Sequence, residues 1–249
     1  MDLTWNPHYF EPVFAVSSFI VLYIIYRYNF SHFLIRVLYA LLKRLFHVEI
    51  GQKLHIFLER AIGFVLLGLI PFLLIFFVLE GTPSEYGFAL VENAIFYVFA
   101  CLLCALLLPV LVAFSKTTEA EKNSPFSCPE DWRAGLVIIH VFSRVLYLTG
   151  YEFLIRGYLL FTLARFMNAW PAIFVVTVLY TSIHIEKGKS EAIGSFLIGI
   201  VFGLLALKSG SVLIPLLVHA YIAVMVDILV LRQWKKKCSG QDDDHKRHR

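Results

Sequence analysis

Glu152, Arg156, His184 and His219 are ionisable residues set in apolar sequence of membrane-spanning character. They lie in Tyr151-Glu152-Phe153-Leu154-Ile155-Arg156-Gly157, in Tyr180-Thr181-Ser182-Ile183-His184 and in Pro215-Leu216-Leu217-Val218-His219. An ionisable side chain at membrane depth is costly. It persists where it faces a protein interior and has a partner, and it marks a functional site. Glu152 and Arg156 are four apart, so they share a helix face and can pair. A desolvated carboxylate aimed by an arginine can activate water as a general base. The same spacing also suits a structural ion pair that holds two helices together. His184 ends its apolar segment just before Ile185-Glu186-Lys187-Gly188, a place for a base, a metal ligand or an interfacial residue. His219 lies seven residues into an apolar span, where it could equally bond a carbonyl of a neighbouring helix. Asp227 follows two turns later and about 80° round the helix, placed to line the same cavity at a different depth.

The elements that must position these groups are set by composition. The chain is 59% hydrophobic and 16% charged, with a mean hydropathy of +0.75. Soluble domains carry about 45–50% apolar and about 25% charged residues, so a soluble fold could not hide this much Leu, Phe, Ile and Val. Runs of about 20 apolar residues read as spanning helices, whereas a barrel would show alternating segments of about 10 residues. The expected fold is all-α, a polytopic transmembrane helical bundle. Its predicted spans are 12–29, 56–79, 90–115, 134–149, 151–168, 171–186, 192–208 and 212–231, with 134–168 alternatively one long, kinked helix. Gly194, Ser195, Gly199 and Gly203 form a small-residue stripe that lets helices approach closely.

Between the first two spans, residues 31–47 alternate polar positions (His32, Arg36, Tyr39, Lys43, His47) with an apolar face. That pattern predicts an amphipathic helix lying in the interface. Lys116 to Arg133 is the one long polar internal loop. The expected organisation is a peripheral N-terminal part, 1–133, without intramembrane charge clusters; a core bundle, 134–231; and a polar, disordered tail, 232–249. The basic stretch 27–55 and the Lys235-Lys236-Lys237 run belong in the cytoplasm. Met1 to Pro12 carries Asp2 and Glu11 and no basic residue, unlike a secretory signal. The net charge of +4, with much of its basic charge beside apolar segments, suits anionic lipid headgroups and not nucleic acid. Cys101 and Cys104 have CxxC spacing but lie inside an apolar stretch, which argues against a redox role. Cys128 sits in a loop. Cys238 follows the lysine run and is an idle thiol or an acylation site.

Together these motifs resemble the CPBP family of intramembrane endopeptidases, the CAAX proteases and bacteriocin-processing proteins. That family shows EExxxR, FxxxH and HxxxN in order on successive helices. Here the order reads Tyr151-Glu152-xxx-Arg156, Tyr180-xxx-His184 and His219-xxx-Ala223, and the resemblance covers about residues 134–231. Tyr151 stands at the first Glu position and Ala223 at the Asn position. The resemblance extends to a Tyr-Glu variant, with an aspartate eight residues after the last histidine, which is Asp227 here. It implies hydrolysis of a peptide bond at the membrane, with Glu152 as base and His184 orienting water. His219 would sit near the developing oxyanion, and Tyr151 would donate a hydrogen bond there. A metal version is the alternative, with Glu152, His184 and His219 as a His₂Glu set for zinc; Arg156 beside Glu152 would compete with the cation. The implied partners are membrane lipids and a membrane-associated or lipidated peptide, and the implied location is a bacterial inner membrane. The missing Glu and Asn keep a catalytically silent, partner-binding relative open as a second reading. A proton- or ion-coupled carrier is a third, although the sequence shows none of the internal repeats such folds carry.

Overall fold

Among the described residues, seven helices are long and apolar enough to cross a bilayer. They are α1 (Pro7–Tyr28), α2 (Leu54–Phe77), α3 (Ile95–Phe114), α4 (Ala134–Met167), α5 (Ala169–Lys187), α6 (Lys189–Ser209) and α7 (Leu213–Lys236). The computed structural model describes residues 6–28, 33, 36, 37, 40, 41, 43, 44, 52–124 and 133–247. There is no strand among them, and the chain is an all-α polytopic membrane protein.

The two segments expected at 134–149 and 151–168 form one helix. No proline interrupts Ala134–Met167, and the helix passes through a π-helical section, Phe153–Phe161. A second π section, Val65–Leu69, lies in α2. Such wide turns recur at functional sites, because they re-aim side chains without ending the helix. The two helices cross with their backbones in contact. A Cβ on Gly68 would lie 2.8 Å from the Gly150 Cα, and one on Gly150 would lie 3.1 Å from the Phe64 carbonyl oxygen. Only glycine permits that approach.

The section of α4 from Phe153 to Leu160 is buried throughout and packs against α1, α2, α5 and α6. Its Leu154, Ile155, Tyr158, Leu159 and Leu160 join Ala15 and Phe19 of α1, Leu67 and Ile75 of α2, and Ile173 and Val176 of α5 in a single core. The expected small-residue stripe seats α6 on α5: Gly199 faces Thr177 and Tyr180, and Gly203 faces Ile173. By contrast α3 packs mainly on α7 and leaves Val98, Phe99, Leu102, Leu106 and Val110 outward.

Seven spans place Arg27, Leu54, Lys116, Arg133 and the end of α7 on one face, and Glu80, Glu85 and Glu92 on the other. The basic face is cytoplasmic by the positive-inside rule. There, Arg27 of α1 reaches Glu186 of α5 at 2.5 Å, and Asn123 of the short helix Thr118–Asn123 donates to the Lys187 carbonyl. At the opposite face Arg165 pairs with Glu11, and Tyr86 donates to the same carboxylate.

Three expectations change or fall outside view. Most of the predicted amphipathic helix 31–47, and Cys128, lie outside the described residues; the described positions of that helix, Phe33, Arg36, Val37, Ala40, Leu41, Lys43 and Arg44, are helical and exposed. The tail expected to be disordered continues the last helix, which runs Leu213–Arg247. The N-terminal part does carry intramembrane charge: Arg60 of α2 is buried.

Candidate active site

Glu152 stands where α4 turns from α into π geometry. One of its oxygens, Oε1, accepts from Arg156 Nη1 at 3.0 Å and from His219 Nδ1 at 2.5 Å. The expected helical pair therefore forms, and α7 closes a third corner from 67 residues away. Arg156 is held flat by aromatic faces, with its Cζ 4.0 Å from the Tyr180 ring centroid and 5.3 Å from that of Phe202. Rings accept cations in this way, which helps to settle a buried guanidinium. Glu152 is fully buried and Arg156 almost so.

The histidines differ from Glu152 in access. A cavity of about 430 Å³ is lined by Tyr147, Tyr151, His184 and His219, together with the charged Arg27, Arg60, Arg144, Glu59, Glu186 and Lys187. Glu152 is not on that wall. Its side chain is 0% exposed against 13% for His219, and its second oxygen, Oε2, has no hydrogen-bond partner among the described residues. His219 thus stands between the carboxylate and the cavity.

Hydrogen bonding fixes the tautomers. A carboxylate paired with arginine accepts, so His219 Nδ1 carries the proton and Nε2 keeps its lone pair. His184 Nδ1 lies 2.9 Å from the Tyr180 carbonyl, which can only accept. Its Nε2 likewise keeps a lone pair. Tyr180 lies between the two imidazoles, with ring centroids 4.5 Å from His184 and 6.4 Å from His219. Tyr151 meets the His219 ring edge-on at 5.9 Å. The Tyr151 hydroxyl is buried with no hydrogen-bond partner among the described residues. Ala223 is buried one turn beyond His219 and offers no polar atom.

Asp227 does not line this cavity. It accepts from His140 Nε2 at 2.9 Å and lies 3.7 Å from Arg144 Nε. His140 Nδ1 in turn faces Arg60 Nη1 at 3.1 Å, and Arg60 also donates to the His140 carbonyl and to Ser143. A second polar cluster, of the buried Arg60, His140, Ser143 and Asp227 with the partly exposed Arg144, therefore joins α2, α4 and α7. The eight-residue spacing explains the separation: at 1.5 Å per residue Asp227 sits about 12 Å along α7 from His219. Sequence reasoning passed over His140 and Arg60. Among the described residues no three His, Cys, Asp or Glu side chains are grouped to hold a metal ion. Glu152, His184 and His219 do not form such a group, and Arg156 holds the Glu152 oxygen that His219 also engages.

The helices that build this site also carry the likeness to known proteins. Residues 133–225 match the family model described as type II CAAX prenyl endopeptidase, Rce1-like. Across this core the chain is similar to the Rce1-like family. The likeness is therefore to a membrane protease family of CAAX type, over the core alone. The Rce1-like match takes in Glu152, Arg156, His184 and His219 and ends before Asp227. No curated protein and no solved structure matches the chain.

Proposed function

We propose that this chain is an intramembrane peptidase in which Glu152 and His219 act as a carboxylate–imidazole pair on a membrane-associated or lipidated peptide. The observation that carries the reading is the 2.5 Å contact between Glu152 and His219 Nδ1, with the imidazole on the cavity wall and the carboxylate behind it. This arrangement favours His219, and not Glu152, as the group that meets water. His219 Nε2 takes a proton from water as the water oxygen bonds to the scissile carbonyl carbon. Glu152 keeps Nδ1–H oriented and stabilises the imidazolium that forms, the role a buried carboxylate plays behind a catalytic histidine. The imidazolium then gives its proton to the leaving nitrogen as the C–N bond breaks, leaving a carboxylic acid and an amine, between which the remaining acidic proton then passes. His184 Nε2 accepts the second hydrogen of the attacking water and orients it. Tyr151, whose hydroxyl has no other partner among the described residues, donates to the oxyanion in place of the missing Asn.

The test is turnover by the full chain in liposomes, on prenylated and leader-type membrane peptides. His219→Ala should cut the rate by roughly 10²–10⁴ while the protein still folds and inserts. Cleavage at the parental rate by that variant ends the assignment. Ala223 favours the second reading, because α7 supplies no side-chain donor at that point. A parent that binds such peptides and cleaves none would establish the silent relative.

A further inference from the structure

We propose that Arg144 is a substrate-binding residue that holds a carboxylate of the peptide; this rests on the peptidase reading of the cavity. Four cations, Arg27, Arg60, Arg144 and Lys187, and two acids, Glu59 and Glu186, line the cavity wall. Most of these charges are already committed. Arg27 is paired with Glu186, Lys187 lies 3.9 Å from Glu191, and Arg60 is bonded to His140 and Ser143. Arg144 is different. Its one ion pair is the 3.7 Å approach of Nε to Asp227, a carboxylate that His140 already engages. Its Nε makes no hydrogen bond among the described residues. Its side chain is 30% exposed, and Asp227 lies on the Nε side of the guanidinium. The Nη side remains for a ligand. That fork of parallel N–H donors matches a carboxylate bidentately.

Position supports the role. Arg144, Tyr147 and Tyr151 follow one another at three and four residues along α4, so they share a face, and all three line the cavity. Seven residues of helix put Arg144 about 10 Å from the Tyr151 level. That is the length of about three residues of extended peptide. A peptide whose scissile carbonyl lies against His219 and Tyr151 would therefore bring a carboxylate about three residues away to Arg144. Two sources supply that chemistry: a free C-terminus or an Asp or Glu side chain.

Binding separates this subsite from catalysis. A fluorescent membrane peptide would be titrated against the full chain in nanodiscs of neutral lipid in three forms: free acid, C-terminal amide, and free acid with its acidic side chains made amides. Arg144→Gln should weaken the carboxylate form by about 10- to 100-fold, as expected for a charged hydrogen-bond pair. It should leave the form lacking that carboxylate at the parental Kd. Whichever neutralisation abolishes the difference identifies the source. Arg144→Lys keeps the charge and lacks the fork, so it should fall between; it decides the matter if Arg144→Gln does not fold. Equal weakening of all three peptides, or no weakening, overturns the proposal. So does binding that follows added anionic lipid and ignores the peptide's carboxylate. Cleavage with no carboxylate dependence would keep the peptidase and remove the subsite, whereas carboxylate-dependent binding without cleavage would do the reverse.

Discussion

Glu152→Gln separates a catalytic carboxylate from a structural one. The amide oxygen can keep both hydrogen bonds now made by Oε1, because a carbonyl oxygen has two lone pairs. The opposite orientation would press the NH₂ group against the Arg156 guanidinium, 3.0 Å away. His219 therefore keeps its tautomer, and what is lost is charge. With charge centres about 4 Å apart and an effective dielectric of about 20, the carboxylate stabilises an adjacent imidazolium by about 4 kcal/mol. That is equivalent to about 10³ in rate. The same change leaves Arg156 buried without its counter-ion, and loss of one partner of a buried pair costs about 3–5 kcal/mol. Turnover in liposomes and unfolding in mixed micelles would both fall, so a second variant is needed to part them. Glu152→Gln combined with Arg156→Met removes the orphan cation and places an apolar chain over Tyr180 and Phe202. Stability should recover, since replacing both partners of a buried pair is often neutral. Turnover should not. Recovery of both would make the pair structural, and turnover within tenfold of the parent in Glu152→Gln would refute the charge argument itself.

Tyr151→Phe removes a hydroxyl that bonds nothing among the described residues. Its unfolding midpoint should stay at or slightly above the parental value, while turnover falls roughly 10²–10³; unchanged turnover removes tyrosine from the mechanism. Gly150→Ala drives a Cβ against the Phe64 carbonyl and the Gly68 amide nitrogen at 3.1 Å, and overpacking of this kind costs about 1–3 kcal/mol. Gly194→Ala, with nothing within 4 Å of the added carbon, is the matched control and should not destabilise. Asp227→Asn leaves Arg60 and Arg144 facing one another without a carboxylate between them, and should lower stability in mixed micelles by about 3–5 kcal/mol.

The four residues with which the sequence reading begins could be found because charge in apolar sequence is conspicuous and because the Glu152–Arg156 spacing matches a helical turn. The same test applied to Val137-Ile138-Ile139-His140-Val141, and to Arg60 near the start of α2, would have found the second cluster. Those residues were hidden by attention to motif order, not by weak signal. Asp227 was misplaced for a different reason. Helical phase gave its angle from His219, but which partner waits at that angle depends on how α2 and α4 pack beside α7. The order carboxylate, imidazole, cavity is likewise tertiary: no spacing within α4 or α7 states which group faces the open space. The single long α4 was within reach, since no proline divides it; its π register was not, because no residue pattern within α4 marks where the i→i+5 turns begin.

The buried block from Leu154 to Leu160 has a consequence for the cell. Between the histidines and the acidic face of the protein, Leu154, Ile155, Leu159 and Leu160 are closed off from solvent by the helices packed on them. A chain of hydrogen-bonded water cannot run through such packing. Water admitted to the histidines from the basic side is therefore kept from the acidic face by these side chains, so a hydrolytic site here need not become a proton leak.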